Sequence, residues 1–219
     1  LRLDTTQESL GRVLANVQDL SIHLISATGL GDYATSMQHA TTARNAFQAT
    51  VATLNTQVAG QSLFAGATTD KPALASADSI LAARTGDVAG APRATDALAA
   101  IDSSSSRTPP GGLFARGYTG SDQDLTPVDI GEQQRLDFGV RADDDKLIAV
   151  LKAQATAALV ANGTLSGNQD EQMALLSAAG TAMLAAKEGI LDLRTEVGIN
   201  QETVERGKAE RTAERETLD

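Results

Sequence analysis

Residues 176–204 read LSAAGTAMLAAKEGILDLRTEVGINQETV. Within them Leu176, Ala179, Met183, Ala186, Ile190, Leu193, Val197, Asn200 and Val204 follow in steps of three and four without a miss. An α-helix turns once in ~3.6 residues, so this spacing gathers those side chains on one face, as a heptad seam does. Lys187, Glu188, Asp192, Arg194, Glu196, Gln201 and Glu202 fall between them, on the sides that meet water. No proline interrupts the run. At ~1.5 Å per residue it makes a rod on the order of 45 Å long. An apolar stripe of that length needs other helices to cover it, which points to a long bundle.

The partners are legible elsewhere. Leu10, Val13, Val17, Leu20 and Leu24 repeat the seam, with Leu3 one heptad earlier, until Gly29, Gly31 and Asp32 break it. A second stripe runs Met37, Ala40, Arg44, Phe47, Val51, Leu54 and Val58. Arg44 breaches it, and is expected to snorkel to solvent or to pair with an acidic residue of the long helix. Leu147, Ile148, Leu151, Ala155, Ala158 and Leu159 mark a third. Asp143-Asp144-Asp145 opens that helix with carboxylates beside its unpaired amides, and Asn162-Gly163 closes it as a left-handed cap. Past Val204, Glu205, Arg206, Lys208, Glu210, Arg211, Glu214, Arg215 and Glu216 alternate in sign, the pattern of a solvated helix held by pairs three or four apart. Leu1 already stands inside a helical pattern and 214–219 looks helical and uncapped, so the chain is read as a fragment with both ends inside helices.

The middle differs. Ser62-Leu63-Phe64-Ala65-Gly66 is a short strand or an extended plug on the bundle, with Gly66 permitting a sharp turn. Ser79 to Arg84 is a short apolar segment, and Thr95 to Ile101 is a short helix capped by Thr95 or Asp96. Ser103 to Ser106 leads into Pro109-Pro110-Gly111-Gly112, a loop with little to bury. Val128 and Ile130, then Leu136, Phe138 and Val140, alternate with polar residues on either side of 131–134, which predicts a β-hairpin with one buried face. The expected fold is mainly α: an elongated antiparallel helical bundle with long N- and C-terminal helices. Residues 1–72 and 143–219 form its discontinuous bundle domain, and 73–142 an inserted outer lobe, α/β or β-rich, that contains the hairpin.

The 219 residues carry a net charge of −10, and hydrophobic content is 42 % with only 3 % aromatic. Much of the apolar content is alanine, which suits slim helical packing. The acidic balance argues against a nucleic-acid partner, which calls for a basic face. No apolar run approaches the roughly 18 residues of a membrane span, so no membrane insertion is expected. Cysteine is absent, which excludes disulfides and thiolate chemistry. His23 and His39 lie beside the first two stripes with no carboxylate at metal-pair spacing, and both are read as structural. Asp122-x-Asp124 is the nearest approach to a calcium loop, but Pro127 stands where its sixth-position glycine belongs. No phosphate-loop or nucleophile-elbow motif is present. Catalytic, cofactor and metal residues are therefore none, and an enzyme is not expected.

Two stretches carry a family resemblance. Leu54-Asn55 runs into Leu63-Phe64-Ala65-Gly66, Thr68-Thr69 and Pro72, and Leu193-Arg194-Thr195-Glu196-Val197-Gly198-Ile199-Asn200-Gln201 returns on the C-terminal side. Together they resemble the flagellin family, in which a helix ending in Leu-Asn enters a Leu-Phe-Ala-Gly turn. The likeness covers roughly 1–72 and 143–219 and is greatest to the hook-associated branch that joins hook to filament. The Ser-Gly-Leu and Asp-Asp-Ala-Ala elements of flagellin's N-terminal helix are not in this chain. The resemblance implies a structural subunit of the bacterial flagellum that self-assembles head-to-tail in a helical array. It implies as partners further copies, neighbouring hook-associated protein and flagellin subunits, and an export chaperone. It places the protein outside the cell, exported by the flagellar type III pathway. The alternatives are flagellin itself, the main filament subunit, and a surface-exposed glycan- or host-binding module carried by the lobe.

Overall fold

The computed structural model describes residues 1–105, 117–131, 134–136 and 139–218. Helix α1 spans Arg2–Gly29 and α2 Tyr33–Leu54; the strands β1, Gln57–Val58, and β2, Gln61–Ser62, follow. Next come α3, Ala77–Asp87, and α4, Ala94–Ser104, then β3, Val128–Gly131, and β4, Gln134–Leu136. Helix α5 spans Asp145–Ala161 and α6 Gln169–Leu218. Four of the helices make an antiparallel bundle in which α1 lies between α2 and α6, and α5 lies between the same two on the other side. With 50 residues, α6 is a rod of roughly 75 Å, longer than its seam alone required.

The pairing of α1 with α6 joins the two ends of the chain. Gln7 donates its side-chain amide to the Arg194 carbonyl at 3.2 Å, and Gln201 reaches Asp4 at 2.6 Å. Three turns beyond Val13, Leu24 and Ile25 meet α6 at Gly180, where an added Cβ would lie 3.1 Å from both side chains. Leu10, Val13, Val17, Leu20 and Leu24 of α1 are buried, as are Leu176, Ala179, Met183, Ala186, Ile190, Leu193 and Val197 of α6. Asn200 and Val204 are only half-buried, because α1 runs out beside them. From 205 to 217 the helix is exposed at every position but Gly207, so the charged extension is solvated as the sequence indicates.

The stripe of α2 needs two corrections: the helix ends at Leu54, leaving Val58 in β1, and Arg44 is not on its buried face. Arg44 is exposed, and Ala43 takes the core position between Ala40 and Phe47. Ser36, Ala40, Ala43, Phe47 and Thr50 set the buried face, and position 44 is turned roughly 70° off its centre.

Helix α5 is buried nearly all round: 12 of its 17 residues are inaccessible. Helices α2 and α6 cover its inner sides, and α3 and α4 lie across its outer one. Alanine at 153, 155, 157 and 158 lets these neighbours come close. Gln154 is fully buried, with no hydrogen-bond partner for either amide atom among the described residues. Such an unpaired group costs about 1–3 kcal/mol, and the apolar contacts around it have to offset that.

Helix ends follow their local chemistry. Asp32 caps α2 by accepting from the Thr35 amide at 3.0 Å, and Asp144 caps α5 through Lys146 at 2.9 Å. Gly163, at φ +96°, closes α5 while the Thr164 amide reaches back to the Leu159 carbonyl, a Schellman motif. The apolar segment at 79–84 is part of α3, capped by Ser76. Helix α4 is not capped by Thr95 or Asp96. Its Ala94 amide donates to the Glu171 carboxylate of α6 at 2.6 Å, a tertiary cap that local sequence does not announce.

The hairpin between β3 and β4 forms, with Val128 opposite Leu136. Leu136 is buried and Val128 is 48 % exposed, so burial is confined to one strand of that pair. Phe138 and the loop at 109–112 lie outside the described residues. By length and composition α6 passes for a membrane span, against the sequence expectation. Its seam residues from Leu176 to Val197 are committed to α1 and α5 in the bundle, while Leu184 and Ile199 are exposed.

Ile190→Asp should place a carboxylate in this seam and cost several kcal/mol. A thermal melt followed by circular dichroism should show a sharply lowered midpoint; an unchanged one would mean this face is not buried.

Candidate functional site

The densest polar construction lies where the chain leaves α2 and where it returns to α5. Leu54, fully buried, ends α2, and Asn55 follows as its C-cap. The Asn55 side chain donates to the Leu74 carbonyl at 3.0 Å and accepts from the Leu74 amide at 2.8 Å. A side-chain amide thus pairs with backbone as a strand neighbour would, fixing the point where the chain sets out toward α3. Between these residues β1 and β2 form a tight hairpin over Ala59 and Gly60, both at positive φ. Leu63, Phe64 and Ala65 then run buried into the bundle. Of the two readings of Ser62 to Gly66 the plug holds: only Ser62 belongs to a strand, as the last residue of β2, and 63–65 pack into the bundle.

The plug is held by backbone on two sides. The Phe64 carbonyl accepts from Ala142, and the Ala65 carbonyl from Ser121. Arg2 of α1 donates to the Ser62 and Leu63 carbonyls, each at 3.0 Å. Gly66 stands at φ +62°, and a Cβ there would fall 2.5 Å from the Gln123 carbonyl and 2.8 Å from that of Ser121. Both the turn and the close approach demand glycine.

Arg141 locks the return. Its Nε and Nη2 donate to the two oxygens of Asp143 at 2.7 and 3.2 Å. Its Nη1 donates to the Asp122 carbonyl and the Asp124 carboxylate, both at 2.8 Å. The bidentate hydrogen bond to Asp143 raises the guanidinium's already high proton affinity. So the Asp122-x-Asp124 pair, nearest in sequence to a cation loop, faces a cation supplied by the chain itself. Of the acidic triplet, Asp144 caps α5 while Asp143 serves Arg141.

Arg84 was missed as a polar residue of consequence. It is fully buried between α3 and α4, where Nη1 donates to the Ile101 carbonyl at 3.0 Å and to Ser104 at 2.6 Å, and Nη2 donates to Ser105 at 2.9 Å. Burial pushes its proton affinity down to about 10. The partners are the last turn of α4, whose unpaired carbonyls favour a cation. The signal was the serine run at 103–106, read as loop.

One groove opens beside the joined chain ends, about 500 Å³, lined by Leu1, Leu3, Leu136 and Val204 with Asp4 and Lys208 at its rim. Among the described residues no group of three or more histidine or acidic side chains is placed to hold a metal. His23 and His39 come together as stacked rings with centroids 5.2 Å apart. The Asn55 clamp, the plug at 63–65 and the Arg141 pairing set where the chain departs from the bundle. Asn55→Ala should leave the Leu74 amide and carbonyl without their partner and cost roughly 1–3 kcal/mol. Chemical denaturation should show this as a lower midpoint; a midpoint equal to the parent's would mean that the clamp is not closed.

No protein-family model matches this chain, and no curated protein matches it. Among solved structures it is similar to the crystal structure of FlgL from Bacillus cereus, at 15 % identity and a TM-score of 0.65, over 100 % of this chain and 86 % of that one. At that identity the likeness is one of fold: the bundle, the inserted helices and the hairpin share the FlgL architecture throughout the chain.

Proposed function

We propose that this chain is a structural subunit of the bacterial flagellum, of the kind that joins hook to filament. The observation that carries the reading is a coincidence of two signals. The residues that resemble the flagellin family in sequence are Leu54-Asn55, Phe64-Ala65-Gly66 and the returning helix. They are also the residues that clamp, plug and cover the bundle, in a chain whose fold is that of FlgL, hook-associated protein 3.

In this reading residues 1–72 and 143–219 form the bundle domain that contacts neighbouring subunits, and 73–142 the lobe turned to the outside. Copies repeat head-to-tail around a helical array, with hook-associated protein and flagellin as neighbours. The chain reaches that place unfolded through the flagellar export pathway, attended by a chaperone. The role is mechanical. A bundle whose first and last helices are locked antiparallel transmits torque and bending without chemistry, adapting a flexible hook to a stiffer filament.

Labelled antibody on isolated flagella tests the proposal. It predicts a single narrow band at the boundary between hook and filament. Labelling along the whole filament would replace it with the filament-subunit reading, and no labelling of flagella would overturn it.

A further inference from the structure

The two histidines of the chain are 16 residues apart in sequence and meet across the α1–α2 hairpin. Their rings stack at 5.2 Å with planes 15° apart. His23 is exposed and His39 half-buried, so protons reach both. We propose that this stack is a proton-sensitive clasp between α1 and α2. It holds that end of the hairpin while at most one ring is charged, and loosens it when both are.

The surroundings favour this. Two parallel rings of one chemistry gain from dispersion and stacking when neutral, but two cations at that separation repel. Few other charged groups lie near this end, and Asp19 shares His23's face of α1. On α1, Asp19 stands one turn before His23, and on α2 the exposed Arg44 stands five residues after His39. Asp32, between the helices, accepts from the Thr35 amide and hydroxyl. Helix α6 brings Asp170, and Glu171, which is bonded to the Ala94 amide; α5 has Lys152, paired with Asp102, as its last charged residue. His39's proton affinity is lowered by burial and then by His23, the charged neighbour that acts on it.

The direction follows from linkage. A histidine that binds its proton less readily folded than unfolded contributes stability above about pH 6.5, its ordinary value, and loses it as pH falls through and below that point. Loosening is therefore expected between neutral and mildly acidic pH, and locally, because the rest of the seam is apolar.

The experiment is a nuclear magnetic resonance titration of both rings, with hydrogen exchange of residues 20–40 at pH 7.5 and 5.0, corrected for intrinsic rates. His39 should titrate below the free-histidine value, and His23→Gln should move it upward. Amide protection at 20–40 should fall roughly tenfold at pH 5.0 in the parent, and less in His23→Gln and His39→Gln. Protection at 186–197 should not follow. Unaltered His39 titration in His23→Gln, or an acid-induced loss equal in parent and both variants, would overturn the clasp. Both rings being accessible, neither glutamine is expected to unfold the chain.

Discussion

The antiparallel seam between α1 and α6 is the constraint on which the other contacts depend. It joins residues nearly 200 positions apart, so it is the longest loop the chain closes, and closing it costs entropy that only a long run of buried side chains recovers. Glycine makes the approach possible. At Gly180 and Gly189 an added Cβ would lie within 3.1 Å of Leu24 and Ile25, and within 2.9 Å of Lys146. With α6 held against α1 on one side and α5 on another, everything between residues 55 and 142 is obliged to start and finish near the same level of the bundle. Asn55, Arg141 and the plug at 63–65 mark that level.

The inserted helices do more than hang from the stalk. Helices α3 and α4 cover the outer face of α5 and place Ile80, Leu81, Ala97 and Ile101 in the same core as the bundle seam. They are fastened by Arg84, by Glu171 on the first amide of α4, and by Lys152 with Asp102. The surface-exposed pair among these is worth little in itself. The buried guanidinium matters more, because stripping its neutral acceptors would leave a desolvated charge. This arrangement explains why α5, unlike its three partners, is apolar on nearly every side.

How much of this the sequence disclosed divides along physical lines. The helices of the bundle, their faces and most of their ends follow from periodicity and capping residues, which are local. Gly66 was legible for the same reason, since a left-handed turn is a property of one residue. Arg44 was misplaced because Ala43 is too small to stand out in a stripe, although it is what the core accepts. The cap of α4 by Glu171, the burial of Arg84 and the meeting of His23 with His39 depend on helices far apart in sequence. Nothing in the local pattern encodes them. The tail of α6 was extended correctly past Val204 because like and unlike charges alternate there, yet its apolar upper half satisfies the criteria for a membrane span until its packing partners are known.

The most direct measurement of the central claim is the separation of nitroxide labels on α1 and α6, which the absence of native cysteine makes specific. Glu8 and Thr195 are both exposed on helices that pack side by side. Labels there should be separated by little more than the 8–10 Å between packed helix axes plus the reach of the labels. Labels on Glu8 and Thr181, which lies on the same face of α6 two heptads away, are offset by roughly 20 Å along the axis, so their separation should be clearly longer. Equal separations for the two pairs, or a long one for 8 and 195, would contradict an antiparallel seam joining the ends of this chain.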